Sequence, residues 1–213
     1  MSEILKFNSR VFDEVILTED AFVFYDALKT VALVVKCDAV LTERAVSMPA
    51  KRLIRHAGRI VSVSVDDGSA VVKVQRGCTI FTLHVPALKT DPPIALSLIN
   101  RFERLVIVNT RQVLTALEEA GVVAEQVRVA VRKSFVLISA SADGREYEAK
   151  IPATPVISLN DSVERVVDAR RAARLIKVLL RAGIKDIAVG TAPTALALSS
   201  VDGAVTALIA AQN

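Results

Sequence analysis

The 213-residue chain is 52% apolar and 23% charged, which suits one large or two small domains with a substantial core and excludes disorder over most of its length. A formal net charge of +4 and a pI near 9.2 allow a polyanionic partner without requiring one. No stretch approaches the ~18 uninterrupted apolar residues of a membrane helix, and Met1-Ser-Glu-Ile-Leu-Lys6 lacks the basic start and apolar run of a secretory leader, so a soluble, cytoplasmic protein is expected.

Aromatics are scarce and Trp is absent, so the core must be mostly Val, Leu, Ile and Ala. From the N-terminus, Val11–Leu17, Ala21–Tyr25 and Thr30–Lys36 read as strands. Only about ten residues precede them, too few for a strand and a three-turn helix. A strand at Glu43–Ser47 then leads into a helix over Ala50–Gly58, with Pro49 where a first turn tolerates it. Ile60–Val65, Ala70–Val74 and Thr79–Ala87 follow as strands, with Asp66-Asp67-Gly68 as a hairpin turn. Leu88–Asn100 contains Pro92-Pro93 and reads as an irregular connector whose Ile94, Leu96, Leu98 and Ile99 must pack on something.

The same order then recurs. Leu105–Val108 is a strand, Arg111–Gly121 a helix, and Gln126–Val131, Phe135–Ala140 and Tyr147–Ala153 are strands with Asp143-Gly144 between the last pair. Glu164–Val167, the helix Arg170–Gly183, and the strands Asp186–Gly190, Ala195–Ser199 and Val205–Ala211, with Asp202-Gly203 as a turn, make the next copy. Each unit is a strand, a helix closing on Ala-Gly, and three strands. Asn109 with Gln112 resembles a capping box, and Asp168 can cap the last helix. The opening strands are then a further copy whose first helix is missing or vestigial. Two similar α+β domains follow, 1–87 and 103–213, joined by a connector at 88–102.

On the last helix, Arg170, Arg174, Lys177 and Arg181 share an arc of about 60°, flanked by Arg171, opposite Ala172, Leu175, Ile176 and Leu179. Lys51, Arg52 and Arg55 repeat the arrangement opposite Leu53, Ile54 and Ala57. Cations spaced along a helix can meet successive phosphates of duplex DNA without sequence preference. A charged helix face can also be simply solvated. The functional reading gains from the lack of any acidic residue between Arg170 and Arg181 and from the recurrence of the basic face. The middle helix counts against it, because it carries Arg111 but also Glu118 and Glu119. Cys37 and Cys78 lack metal-ligand spacing and read as small core residues, with a disulfide as the lesser alternative. His56 and His84 belong to no ligand cluster, and no nucleophile elbow, phosphate loop or dinucleotide fingerprint occurs. No enzyme, metal, cofactor or small-molecule substrate is expected.

The pattern resembles the DNA sliding clamps of the proliferating-cell-nuclear-antigen type. Their subunits have two such domains joined by a connector and end with a Pro-containing strand pair, an Asp-Gly-type turn and a strand closing on Ala-Pro. Here Pro193 precedes Ala195–Leu198, then come Asp202-Gly203 and Ala204–Ala211, with Ala211 where the family has Pro. Tyr25-Asp26 matches the family's Met-Asp segment. The resemblance implies antiparallel sheets outside and helices on one face, in a homotrimeric or heterotrimeric ring around double-stranded DNA. It also implies a role as a replication and repair processivity factor that tethers partner proteins. Lys51, Arg52, Arg55, Arg111, Arg170, Arg171, Arg174, Lys177 and Arg181 would meet DNA. Thr79, Phe81 and Leu83 on one edge strand and Tyr147, Ala149 and Ile151 on another would join subunits. Ile94, Leu96, Leu98, Pro193 and Ala210 would hold a partner peptide. The alternative is a clamp paralogue that binds other clamp subunits as an interaction or regulatory protein without itself encircling DNA.

Overall fold

Strands dominate the computed structural model, which describes residues 11–36, 42, 45–51, 59–66, 68–91, 93–157 and 162–212. The chain divides into two units, Met1–Ser97 and Leu98–Asn213. In the first, β1 (Glu14–Leu17), β2 (Ala21–Tyr25), β3 (Val31–Lys36), β4 (Val46–Pro49) and β8 (Leu88–Lys89) form an antiparallel sheet in the order β3-β2-β1-β4-β8. A separate antiparallel sheet holds β5 (Arg59–Asp66), β6 (Ser69–Arg76) and β7 (Thr79–Pro86) in sequence order. β1, β2, β3, β5, β6 and β7 fall close to the expected strands, although β2 and β3 are continuous buried runs rather than alternating ones; β4 runs later than expected and takes in Pro49, the residue expected in the first turn of a helix. The core of the first sheet is aromatic where aromatics are available: Phe12, Phe22 and Phe24 are fully buried, with ring centroids of Phe12 and Phe24 5.7 Å apart.

In the second unit, β9 (Glu103–Asn109), α2 (Thr110–Val123), β10 (Gln126–Val131), β11 (Phe135–Ala142) and β12 (Arg145–Pro155) precede β13 (Val163–Asp168), α3 (Ala169–Arg181), β14 (Asp186–Ala192), β15 (Ala195–Ser200) and β16 (Val205–Ala210). A short helix, α1 (Ile94–Ile99), precedes them. The sheet order is β13-β10-β11-β12-β9-β14-β15-β16, all antiparallel. The repeats therefore interlock. Within this unit, the leading strand β13 of one repeat pairs with β10 of the other, and β9 pairs in turn with β14. Neither repeat completes a sheet without its neighbour, which explains why they come in pairs within one domain.

The local chemistry follows the sequence at most joints. Asp143 and Gly144 have φ of 52° and 73°, the left-handed pair that a two-residue hairpin turn requires. Gly183 has φ of 86° and stands just past α3. Its N–H donates to Leu180 O, and that of Ile184 donates to Leu179 O, closing the helix in a Schellman motif.

The expected Ala-Gly closure fails for α2. Gly121 lies inside the helix, which runs on to Val123. A methyl group there would sit 3.2 Å from the Ala169 Cβ, so the glycine serves the close approach of α2 to the start of α3. The connector is more regular than Pro92-Pro93 predicts, because β8 pairs with β4 and α1 forms beyond the prolines. Its apolar residues do not all pack as expected: Ala95 is buried in α1, but Ile94 is 75% exposed. Cys78 is exposed in the β6–β7 turn, correcting its reading as a core residue. The reduced first helix, Cys37, Arg52, Leu53, Ile54, Arg55, His56, Ala57, Gly58 and Asp67 lie outside the described residues.

Candidate nucleic-acid interface and edge strands

Helix α3 begins where Asp168, in extended backbone, accepts a 2.9 Å hydrogen bond from the Arg171 N–H. An N-cap carboxylate satisfies one of the otherwise unpaired donors of the first turn and suits its positive end. From there, Ala172, Leu175, Ile176, Val178 and Leu179 are buried, each contributing on the order of 1–3 kcal/mol for the larger side chains. This leaves Arg170, Arg174, Lys177 and Arg181 exposed on the remaining face, as their spacing predicts. At about 1.5 Å per residue the row runs roughly 16 Å along the helix. Arg171 is half-buried and bends back to Asp168, 3.6 Å away, so it belongs to the cap rather than to the row.

Helix α2 is capped by Asn109, whose side-chain oxygen accepts from the N–H groups of Arg111 and Gln112. Arg111 is exposed at this first turn. The two helices pack on each other, and Lys177 Nζ meets Glu118 Oε1 of α2 at 2.5 Å. The basic row is therefore partly neutralised across the helix pair. Scanning α3 alone for acidic residues misses this partner, because Glu118 lies far away in sequence. Glu119 is occupied differently: its carboxylate accepts a 2.6 Å hydrogen bond from the Tyr147 hydroxyl on β12. Burial first, and then this bond and the charge of Glu119, push the phenol up to about 12. In the first unit, Lys51 is exposed and lies 3.7 Å from Asp13.

Two of the open strand edges carry the candidate subunit-interface residues. β7 pairs only with β6, leaving its other edge open along Thr79–Pro86. β12 pairs with β11 through Arg145–Pro152, but with β9 only at Ala153–Pro155, so most of its second edge is also open. The candidate edge residues are mostly exposed or half-buried; Phe81 is 42% exposed and its neighbour Ile80 56%, whereas Ile151 is buried. An open edge with exposed apolar side chains is a template for another strand.

Of the candidate peptide-binding residues, Ile94 and Leu96 lie on α1 in the first unit and Leu98 begins the second. Pro193 and Ala210 come together in the second unit. Pro193 sits in the turn before β15, Ala210 pairs with Ala195, and the Ala211 N–H donates to Thr194 O. Nearby, the Asp202 carboxylate is held below its ordinary range by the Ser200 hydroxyl first, then by the Ala204 N–H and Arg104. Among the described residues, no group of three or more His, Cys, Asp or Glu side chains could hold a metal ion, and no helix is long and apolar enough to cross a membrane.

No family model and no curated protein matches the sequence. Solved structures do match the fold. The chain aligns over 99% of its length with 95% of the PCNA of Thermococcus kodakaraensis, at 12% identity and a TM-score of 0.66. It aligns over 99% with 96% of a chain in the PCNA2–PCNA3 complex of Sulfolobus tokodaii, at 14% identity and a TM-score of 0.65. The whole chain also superposes on 65% of the DNA polymerase III subunit beta of Pseudomonas aeruginosa, at 10% identity and a TM-score of 0.73. At these identities the likeness concerns the fold, and the chain has the fold of the DNA sliding clamps, in a form divergent in sequence.

Proposed function

We propose that this protein is a processivity factor of the sliding-clamp kind, which closes into a trimeric ring on double-stranded DNA and tethers replication and repair proteins to it. The observation that carries the reading is the exposed row Arg170, Arg174, Lys177 and Arg181 on one helix of a clamp fold. Such a row binds phosphates without reading bases, and sliding requires that indifference. Arg111 extends the basic surface at the start of α2, and Lys51, with Arg52 and Arg55, would serve in the first unit. The open edges of β7 and β12 supply two different sticky surfaces on one chain. Joined head to tail, such surfaces close into a ring or extend into a filament. Ile94, Leu96, Leu98, Pro193 and Ala210 are the proposed seat for partner peptides.

Replacing Arg170 and Arg174 together by Glu tests the basic row. Retention on duplex DNA at low salt should fall, with a shallower dependence on salt. Unchanged retention would make the row a solvated surface only. A protein that enters complexes only with other clamp subunits and never stays on DNA would instead be an interaction subunit.

A further inference from the structure

The outward faces at the open edges of β7 and β12 differ in chemistry: β7 carries a histidine, with a lysine on the neighbouring β6, and β12 carries two glutamates and a lysine. On β7, Val85 is buried and shares the core face with Phe81 and Leu83, opposite Val74 and Val72 of β6. Ile80, Thr82 and His84 therefore face outward, with Lys73 of β6 opposite Thr82 and Val71 opposite His84. On β12, Tyr147, Ala149 and Ile151 share the core face, opposite Ala140, Ile138 and Val136. Glu146, Glu148 and Lys150 face outward, opposite Ser141, Ser139 and Leu137.

Opposed residues in an antiparallel pair lie on one face of the sheet. If the two edges join with their cores on the same side, every permitted register sets the outward residues of β7 against those of β12. It also sets Phe81 and Leu83 among Tyr147, Ala149 and Ile151.

We infer that this pairing between two copies of the chain is pH-sensitive, with the His84 imidazolium of one copy held against Glu146 and Glu148 of the next. The inference rests on the edge pairing proposed above. Histidine changes charge between pH 5 and 8, and a facing carboxylate favours its charged form. Among the described residues Glu146 and Glu148 have no ion-pair partner of their own, so they are available. Of the cations nearby, Lys150 Nζ lies 5.4 Å from the Phe135 ring centroid, Arg128 lies 3.7 Å from Glu164, and Arg145 falls on the other face of β12 by strand alternation.

On the His84 side, β6 contributes Lys73, and β4, which also packs near β7, contributes no ionisable side chain among its residues. Lys73 lies on the same outward face, diagonal to His84, in the free and the paired state alike, so its repulsion cancels in the difference. Pairing adds the two carboxylates, and with them Lys150. Association therefore takes up a proton. Lower pH therefore favours association across the range in which histidine ordinarily changes charge.

Sedimentation analysis of the whole chain at pH 6.0 and pH 8.0, at constant ionic strength, tests this. The dissociation constant should be about fivefold lower at pH 6.0, the size expected of exposed charge pairs. His84→Gln and, separately, Glu146→Gln with Glu148→Gln should each flatten the difference, while circular dichroism shows both variants folded. An unchanged dissociation constant in the wild type overturns the pH control and leaves the pairing. A His84→Gln variant that keeps the full pH dependence overturns the role of His84 and leaves the pairing. A monomer at both pH values and at high concentration overturns the edge pairing and the pH control together.

Discussion

Replacing Glu118 by Gln should make the protein hold DNA more strongly, a gain that few surface changes would give by accident. In the wild type Lys177 is one of the row on α3, but its ammonium lies 2.5 Å from the Glu118 carboxylate and both side chains are about half exposed. An exposed pair of this kind contributes roughly 0.2–1 kcal/mol to folding, so Glu118→Gln should lower the melting temperature by only a few degrees. Binding should respond more. Each phosphate neutralised by a cation steepens the fall of log affinity with log salt by about 0.9. Releasing Lys177 adds about one such contact, so between 50 and 200 mM salt the variant should lose about 3.5-fold more affinity than the wild type, starting from tighter binding at the low end. Fluorescence anisotropy with a short duplex over a salt series measures the slope directly. An unchanged slope with unchanged stability would show that Lys177 adds no contact to the nucleic acid and would refute this reasoning.

Further outcomes concern the frame of the site. Gly190→Ala should destabilise the second unit by about 2–3 kcal/mol, since the added carbon would lie 1.9 Å from the Glu103 carbonyl oxygen of the neighbouring strand. A fall of about 1 M in the urea midpoint would register it. Asp202 gives a pH effect. Its folded-state pKa is depressed, chiefly by the Ser200 hydroxyl, so the stability it contributes is present above the unfolded value of 3.8 and is lost as pH falls through the folded one. Thermal melts at pH 6 and pH 3 should therefore show a smaller loss of stability on acidification for Asp202→Asn than for the wild type.

Much of the architecture is legible in the sequence because it is set locally. Alternating or continuous apolar runs mark the strands, Asn109 and Asp168 mark the helix starts, and Asp143-Gly144 and Gly183 mark turns that need positive φ. The basic face of α3 is legible for the same reason, since helical spacing alone places its arginines. What the sequence hides is set by distant partners. The exchange of β13 and β9 between repeats depends on register across many residues, and no local pattern encodes it. Lys177 looks free along its own helix and is paired only when α2 packs alongside. Gly121 imitates a helix terminator but answers to Ala169 on another helix. In the connector, Pro92-Pro93 suggests irregular chain, yet a helix starts directly after the prolines, because a proline ahead of a first turn lacks only a donor that would stay unpaired anyway.

Closure of a ring by the two open edges is the claim on which the rest depends, and light scattering of the protein alone over a range of concentrations tests it most directly. The account predicts a stable species at about three times the 22.9 kDa chain mass. A monomer at every concentration would contradict it.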